Sequence, residues 1–196
     1  MRTYSKAVSA AMAAAALTAV TTAFPASAAS ASVASATAVT IRVERASSEE
    51  VPEWRSQFTC PTNQVLTGRT HVGDENSPTT YHCSWIFIND EQVRVNILDW
   101  TPGVKESKST YVAPANWALV GRSHSGDENG LTRYRPATLF WQGRQVSLTG
   151  ATWTGEYRES NHTTHAPYNQ VMTGRLHTGD ENGKTQYQYA TVTFAG

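Results

Sequence analysis

The chain has 196 residues, with 16 Lys+Arg balancing 16 Asp+Glu, and two cysteines. That length suffices for one domain with a sizeable core. No basic block interrupts the balanced charge, which argues against nucleic acid as a partner.

The first element in chain order reads as a targeting segment. "MRTYSK" is a short basic head, an Ala-rich apolar run follows, and "ASA" at Ala26 to Ala28 fits a signal-peptidase site. The expectation is a signal peptide over residues 1–28, cleaved near Ala28, rather than a membrane anchor. Cleavage there leaves about 168 residues with a formal charge of about −2. No later run stays apolar for the ~20 residues a membrane helix needs. The expected mature protein is therefore secreted and makes no membrane contact. "ASASVASATA" over residues 29–38 is small and polar and reads as a flexible N-terminal arm.

From residue 39 to 196 the sequence reads as one β domain of three 53-residue repeats, over about 39–98, 99–149 and 150–196. Pro61, Pro114 and Pro167 are evenly spaced, as are Gly68, Gly121 and Gly174. The blocks "CPTNQVLTGRTHVGDENSPTTYHC", "APANWALVGRSHSGDENGLTRYRP" and "APYNQVMTGRLHTGDENGKTQYQY" align without a gap. Segments such as "QVLTGRTH", "TTYHCSWIFI" and "STYVAP" are short and rich in Val, Thr, Ile and Tyr, which predicts strands. No window after the signal carries a helical period. The segments beginning at Val93 and Val146 also match, each 21 residues before the next repeat's proline. The same count back from Pro61 reaches Thr40. The third block stops at "TVTFAG", so the strand Thr40 to Glu44 is expected to complete the third unit from the other end of the chain. The predicted fold is all-β, a pseudo-threefold closed repeat, β-prism-like or a β-trefoil. Closure would remove open sheet edges. Trp100 and Trp153 match each other and read as core positions.

Cys60 and Cys83 form an even pair in an expected exported protein, which predicts one disulfide.

The repeated "GRxHxGDEN" motif supplies the candidate binding or structural cluster. In the first copy it comprises Arg69, His71, Asp74, Glu75, Asn76 and Tyr81. The second holds Arg122, His124, Asp127, Glu128, Asn129 and Tyr134, and the third Arg175, His177, Asp180, Glu181, Asn182 and Tyr187. "GDEN" is turn chemistry: Asp and Asn form Asx-turns, and glycine supplies positive φ. Arg69 and His71 fall on one strand face, and Thr79 and Tyr81 on one face of the return strand. On this reading Arg69 forks onto Asp74 or Glu75, His71 donates to the other acid, and the motif pins a hairpin.

Three functional readings stand beside that structural one. Catalysis needs a recurring nucleophile, yet the residue between Arg and His is Thr70, Ser123 or Leu176, so no catalytic residue is assigned. Metal binding would draw on one His and two acids per unit, fewer ligands than an EF-hand loop offers, so no cofactor is assigned. Multivalent glycan binding would combine the motif's polar groups with Trp85, Tyr134 and Tyr187 as stacking faces. Protein partners would meet the segments outside the repeat, namely the arm, Arg45 to Trp54 and Ser84 to Gln92.

The signal and the compact triple repeat resemble small exported actinobacterial proteins, in particular the adaptor subunit of umbrella toxin particles. That resemblance implies a bridging role between secreted proteins, with the N-terminal arm offered to a partner. "FTCPTNQVLTGRTHVGDENSPTTYHC" is separately similar to the repeat of dermatopontin-like extracellular proteins. Two of the three units lack that family's cysteines, carrying Ala113 and Pro136, then Ala166 and Tyr189. Both resemblances imply binding. The expected function is a protein-bridging adaptor first, with a multivalent carbohydrate-binding, lectin-like module and a metal-dependent binding protein as the second and third readings of the motif.

Overall fold

A computed structural model describes residues 39–127 and 129–195. The expected signal peptide, the expected arm and Glu128 lie outside the described residues. The described chain is all-β, with one 3-10 turn at Glu106–Lys108 and no α-helix. The first block contributes β1 (Ile41–Pro52), β2 (Arg55–Thr59), β3 (Gln64–Val72), β4 (Pro78–Ile88) and β5 (Glu91–Gln92). Next come β6 (Arg94–Ile97), β7 (Val104–Lys105), β8 (Thr110–Val112), β9 (Trp117–Ser125), β10 (Leu131–Trp141) and β11 (Arg144–Gln145). The last are β12 (Ser147–Trp153), β13 (Tyr157–Arg158), β14 (Asn161–His165), β15 (Gln170–Thr178) and β16 (Lys184–Thr193). They assemble into a ten-stranded and a six-stranded antiparallel sheet.

Each motif copy builds a hairpin: β3–β4, β9–β10 and β15–β16. Period-2 alternation directs the return strands, so Thr132 and Tyr134 are buried while Leu131 and Arg133 are exposed. A bulge between Arg135 and Pro136 then resets the phase and keeps Ala137, Leu139 and Trp141 inside.

The N-terminal strand corrects the sequence expectation. β1 pairs along its length with β4 of the first block, from Ile41↔Ile88 to Pro52↔Pro78. Likewise β6 and β7 pair with β10, and β12 and β13 with β16. Each of these strands lies on the hairpin that follows it in sequence. By ladder, the third hairpin thus takes its outer strand from β12, and the link from the third block to β1 is Asn169, whose side chain bonds Val43 N and Ile41 O. Pairing with the next hairpin closes a much shorter loop than pairing across the whole chain, which costs less entropy.

The blocks meet through other ladders. β2 pairs with β9, β8 with β15, and β14 with β3. Asparagine adds a second link. Asn63, Asn116 and Asn169 adopt positive φ. Their side-chain oxygens accept from Val95 N, Leu148 N and Val43 N, each on the outer strand that covers another hairpin, Asn169 turning back to β1. The glycine before each motif arginine is required by these contacts. A Cβ on Gly121 would lie 2.4 Å from Phe58 O, and one on Gly68 2.4 Å from Thr164 O.

Two buried apolar clusters fill the interior. One gathers Val65, Ala118 and Val171 with Ile86, Leu139 and Val192. The other gathers Leu66, Leu119 and Met172 with Tyr81, Tyr134 and Tyr187, and includes the Cys60–Cys83 disulfide, whose Cα atoms are 5.9 Å apart. Trp100 and Trp153 belong to neither, against expectation. Trp153 is 37% exposed, and Trp100 is half-buried with the Arg135 guanidinium 5.4 Å from its ring. Both stand where the outer strand breaks, Trp100 between β6 and β7 and Trp153 at the end of β12. There Thr101 and Thr154, rather than a backbone carbonyl, accept from Tyr134 N and Tyr187 N.

Candidate functional site

The three motif arginines are among the most buried side chains in the molecule: Arg69 and Arg175 are 1% exposed and Arg122 is 2%. A buried guanidinium needs anionic partners, since an unpaired charge in low dielectric is costly. The partners are neither Asp74 nor Glu75. They are Glu53, Glu106 and Glu159, buried residues upstream of each hairpin. Arg69 contacts Glu53 at 3.0 Å and Glu159 at 2.6 Å. Arg122 contacts Glu53 at 2.5 Å and Glu106 at 2.9 Å. Arg175 contacts Glu106 at 2.7 Å and Glu159 at 3.0 Å. Three cations and three anions thus alternate in one closed circuit.

The backbone fixes each glutamate between two hairpins. Glu53 N, Glu106 N and Glu159 N donate to Ser77 O, Gly130 O and Gly183 O at the ends of the hairpin turns. The following residue continues the stitch: Trp54 N donates to Glu75 O, while Trp54 O accepts from Gly126 N of the next block. The tyrosines complete the circuit's surroundings. Tyr81 OH accepts from Arg122 at 3.1 Å and Tyr187 OH from Arg69 at 3.1 Å. Phe58 stacks on Tyr81 and Tyr111 on Tyr134.

Electrostatics match the geometry. Burial pushes the Glu53 and Glu159 carboxyls up, but the flanking arginines outweigh it and hold both well below the usual carboxylate range. The same opposition leaves Glu106 at about 2. Burial would lower the three guanidinium pKa values, yet the glutamates raise them well above normal. The whole circuit is charged at neutral pH and sums to zero.

The expected acid partners serve a different purpose. Asp74, Asp127 and Asp180 accept from the backbone N of Asn76, Asn129 and Asn182, the expected Asx-turns. Gly73, Gly126 and Gly179 supply the positive φ that opens each turn. Asn76 and Asn182 also donate to Glu75 and Glu181. These acidic loops stand over the circuit. A cavity of about 40 Å³ lies between, with Glu75, Asp127, Asp180 and Glu181 around it and the three histidines and three buried glutamates beneath.

The histidines are buried and held neutral. Burial first, then the neighbouring arginine, lowers the pKa of His71, His124 and His177. Their partners differ. His124 and His177 place Nε2 at 2.9 and 3.0 Å from Gly126 O and Gly179 O. His71 places Nδ1 at 2.9 Å from the Thr79 hydroxyl, which donates to Glu53 at 2.5 Å. The seam between the third and first blocks carries an added histidine, His162, at 2.8 Å from Tyr187 OH and 3.1 Å from Arg69.

No family model, curated protein or solved structure matches the chain. What the site can do is therefore argued from its own chemistry. The Thr79 hydroxyl beside His71 is fully buried and donates to Glu53. Among the described residues no group of three or more His, Cys, Asp or Glu is arranged to hold a metal ion, so the metal-binding alternative finds no ligand set there. The glycan reading loses two of its stacking faces, because Tyr134 and Tyr187 are 1% and 0% exposed. Sequence reasoning missed Glu53, Glu106 and Glu159, although each stands eight residues before Pro61, Pro114 or Pro167.

Proposed function

We propose that this chain is a secreted, non-enzymatic binding protein, a bridging adaptor between other exported proteins, built on a pseudo-threefold closed, β-prism-like scaffold. The observation that carries the reading is the sealed circuit: each arginine is at most 2% exposed and lies between glutamates of two blocks. Residues that resemble an active site in sequence are consumed in joining the blocks. The ladders β2–β9, β8–β15 and β14–β3 support closure. The Cys60–Cys83 disulfide is consistent with an extracellular location, and among the described residues no helix is long and apolar enough to cross a membrane. A fold invested in rigidity, with its outward surface differing from block to block, suits a scaffold for several partners. Affinity capture from culture supernatant followed by native mass spectrometry tests this. Stoichiometric complexes with other secreted proteins are expected; recovery of the chain alone rejects the adaptor.

One observation favours glycan binding as a second reading. A groove of about 300 Å³ beside Trp153 and Tyr157 is lined by Thr154, Thr163, Gln170 and further uncharged residues. An exposed indole with hydroxyl and amide neighbours offers a stacking face and hydrogen bonds to a neutral sugar. A Trp153→Ala variant that keeps its fold and loses glycan-array signal supports this reading; an array without signal for the native chain removes it.

A further inference from the structure

The floor of the cavity under the acidic loops holds polar atoms whose roles can be assigned. His124 Nε2 faces Gly126 O, and a carbonyl only accepts, so Nε2 carries the proton. In the neutral ring Nδ1 is then a lone pair. It faces Glu106 Oε2 at 3.7 Å, and neither atom has a hydrogen-bond partner. The third block repeats this arrangement. His177 donates through Nε2 to Gly179 O, and its Nδ1, which has no hydrogen-bond partner, faces Glu159 Oε2 at 3.5 Å, the oxygen that pairs with Arg175. His124 and His177 are 3% and 1% exposed, Glu106 and Glu159 6% and 7%. Two acceptors set face to face at nearly full burial repel unless a donor lies between them.

The first block is finished differently. There the Thr79 hydroxyl donates to Glu53 Oε2 and, its one proton so used, accepts from His71 Nδ1, so no bare acceptor pair remains. The equivalent hydroxyls of Thr132 and Thr185 point away and donate to Ser123 O and Leu176 O. Two of the three positions therefore present acceptors alone to the cavity.

We propose that this cavity binds an alkylammonium group, as the lysine side chain of a partner protein presents it, with its N–H groups directed to the His–Glu acceptor pairs of the second and third blocks. The inference rests on the binding-protein reading and gives it a contact. Charge agrees: the circuit below is neutral, so the acids above it set the sign. Size agrees: about 40 Å³ suits a compact ammonium with three donors, not the planar five-donor guanidinium. An anion would meet only acceptors.

The test uses the full folded chain, isotope-labelled, observed through its histidine ring signals by NMR. Nα-acetyl-lysine methylamide is titrated beside the arginine and norleucine analogues and calcium chloride. Saturable shifts at His124 and His177 are expected with the lysine probe, with His71 moving least and norleucine silent. The Glu181→Gln variant, altered at the loop and not in the circuit, should weaken binding at least ten-fold. Absence of a saturable lysine shift overturns the proposal. So do equal responses to norleucine or arginine, or the same shifts from calcium. Lysine binding without any captured protein keeps the site and rejects the adaptor. Undiminished capture by Glu181→Gln keeps the adaptor and rejects the site.

Discussion

The first block and the other two are built on one skeleton and differ in how they finish it. In the first, β1 runs unbroken from Ile41 to Pro52, a disulfide ties Cys60 to Cys83, and Thr79 links His71 to Glu53. In the second and third, the outer strand breaks at Trp100 and Trp153, no cysteine is present, and Thr132 and Thr185 turn to the backbone. The shared parts are those that join blocks: the arginines, the glutamates, the close-approach glycines and the linking asparagines. The repeat therefore records what assembly demands of every block, and the departures record what each block does alone.

The comparison can be broken most forcefully at its shared part. Replacing Arg69, Arg122 or Arg175 singly with Met leaves two buried carboxylates each short of one cation. Each should cost about 3–5 kcal/mol, by similar amounts at all three positions, measured by denaturant unfolding. Strongly unequal losses would mean that the blocks do not share the circuit.

The private features should act smaller and locally. Cys60→Ala with Cys83→Ala removes a 23-residue loop closure and should cost about 3 kcal/mol. Hydrogen exchange should quicken first in β3 and β4, leaving β9 and β10 near native protection.

Acid sharpens the contrast at the seam between the third and first blocks. Burial, then Arg69, lowers the His162 pKa to about 4. The fold favours the neutral ring, so the unfolded chain binds the proton first. The associated stability is complete above about pH 6.5 and is lost as pH falls to about 4, on the order of 3 kcal/mol. His162→Ser, which installs the residue found at Ser56 and Ser109, should flatten the fall of Tm over that window. An unchanged slope would assign the acid sensitivity elsewhere. Below that window the carboxylates take over. Glu106 sits near 2, so its contribution is present above about pH 4.5 and disappears toward pH 2.

The smallest effect separates the threonines. Thr79→Val removes the donor to Glu53 and should cost roughly 1–3 kcal/mol. Thr132→Val and Thr185→Val lose a bond to a backbone carbonyl and should cost about 1 kcal/mol. Equal costs would erase the distinction between blocks.

Much of the fold was legible because it is local. Alternation in "TTYHCSWIFI" gives a strand, "GDEN" gives Asx-turns, and a lone cysteine pair gives a disulfide. Strand periodicity places Arg69 on the correct face, but adjacency in sequence points to Asp74 and Glu75, within six residues, as its partners. The true partners are 16 residues upstream and in another block. They recur at the repeat's spacing, but "VPEWR", "VKESK" and "YRESN" share only the glutamate itself, so nothing around it repeats strongly enough to draw notice. Spacing matches the strand at Ile41 to its counterparts and points it to the third unit, whereas its ladder runs along β4 of the first. Spacing identifies equivalent segments but not which hairpin each one covers. Their match suggests that Trp100 and Trp153 are core. Matching shows equivalence, and only the strand breaks at Thr101 and Thr154 reveal that the equivalent place is outside.

The central claim is that Arg122 and Glu53 belong to one closed circuit rather than to separate hairpins. A double-mutant cycle with Arg122→Met and Glu53→Met tests it most directly. Each single change leaves an odd buried charge, whereas the double leaves two cations and two anions. The account predicts single losses of about 3–5 kcal/mol each and a double loss close to one single. Losses that add within about 0.5 kcal/mol would contradict it.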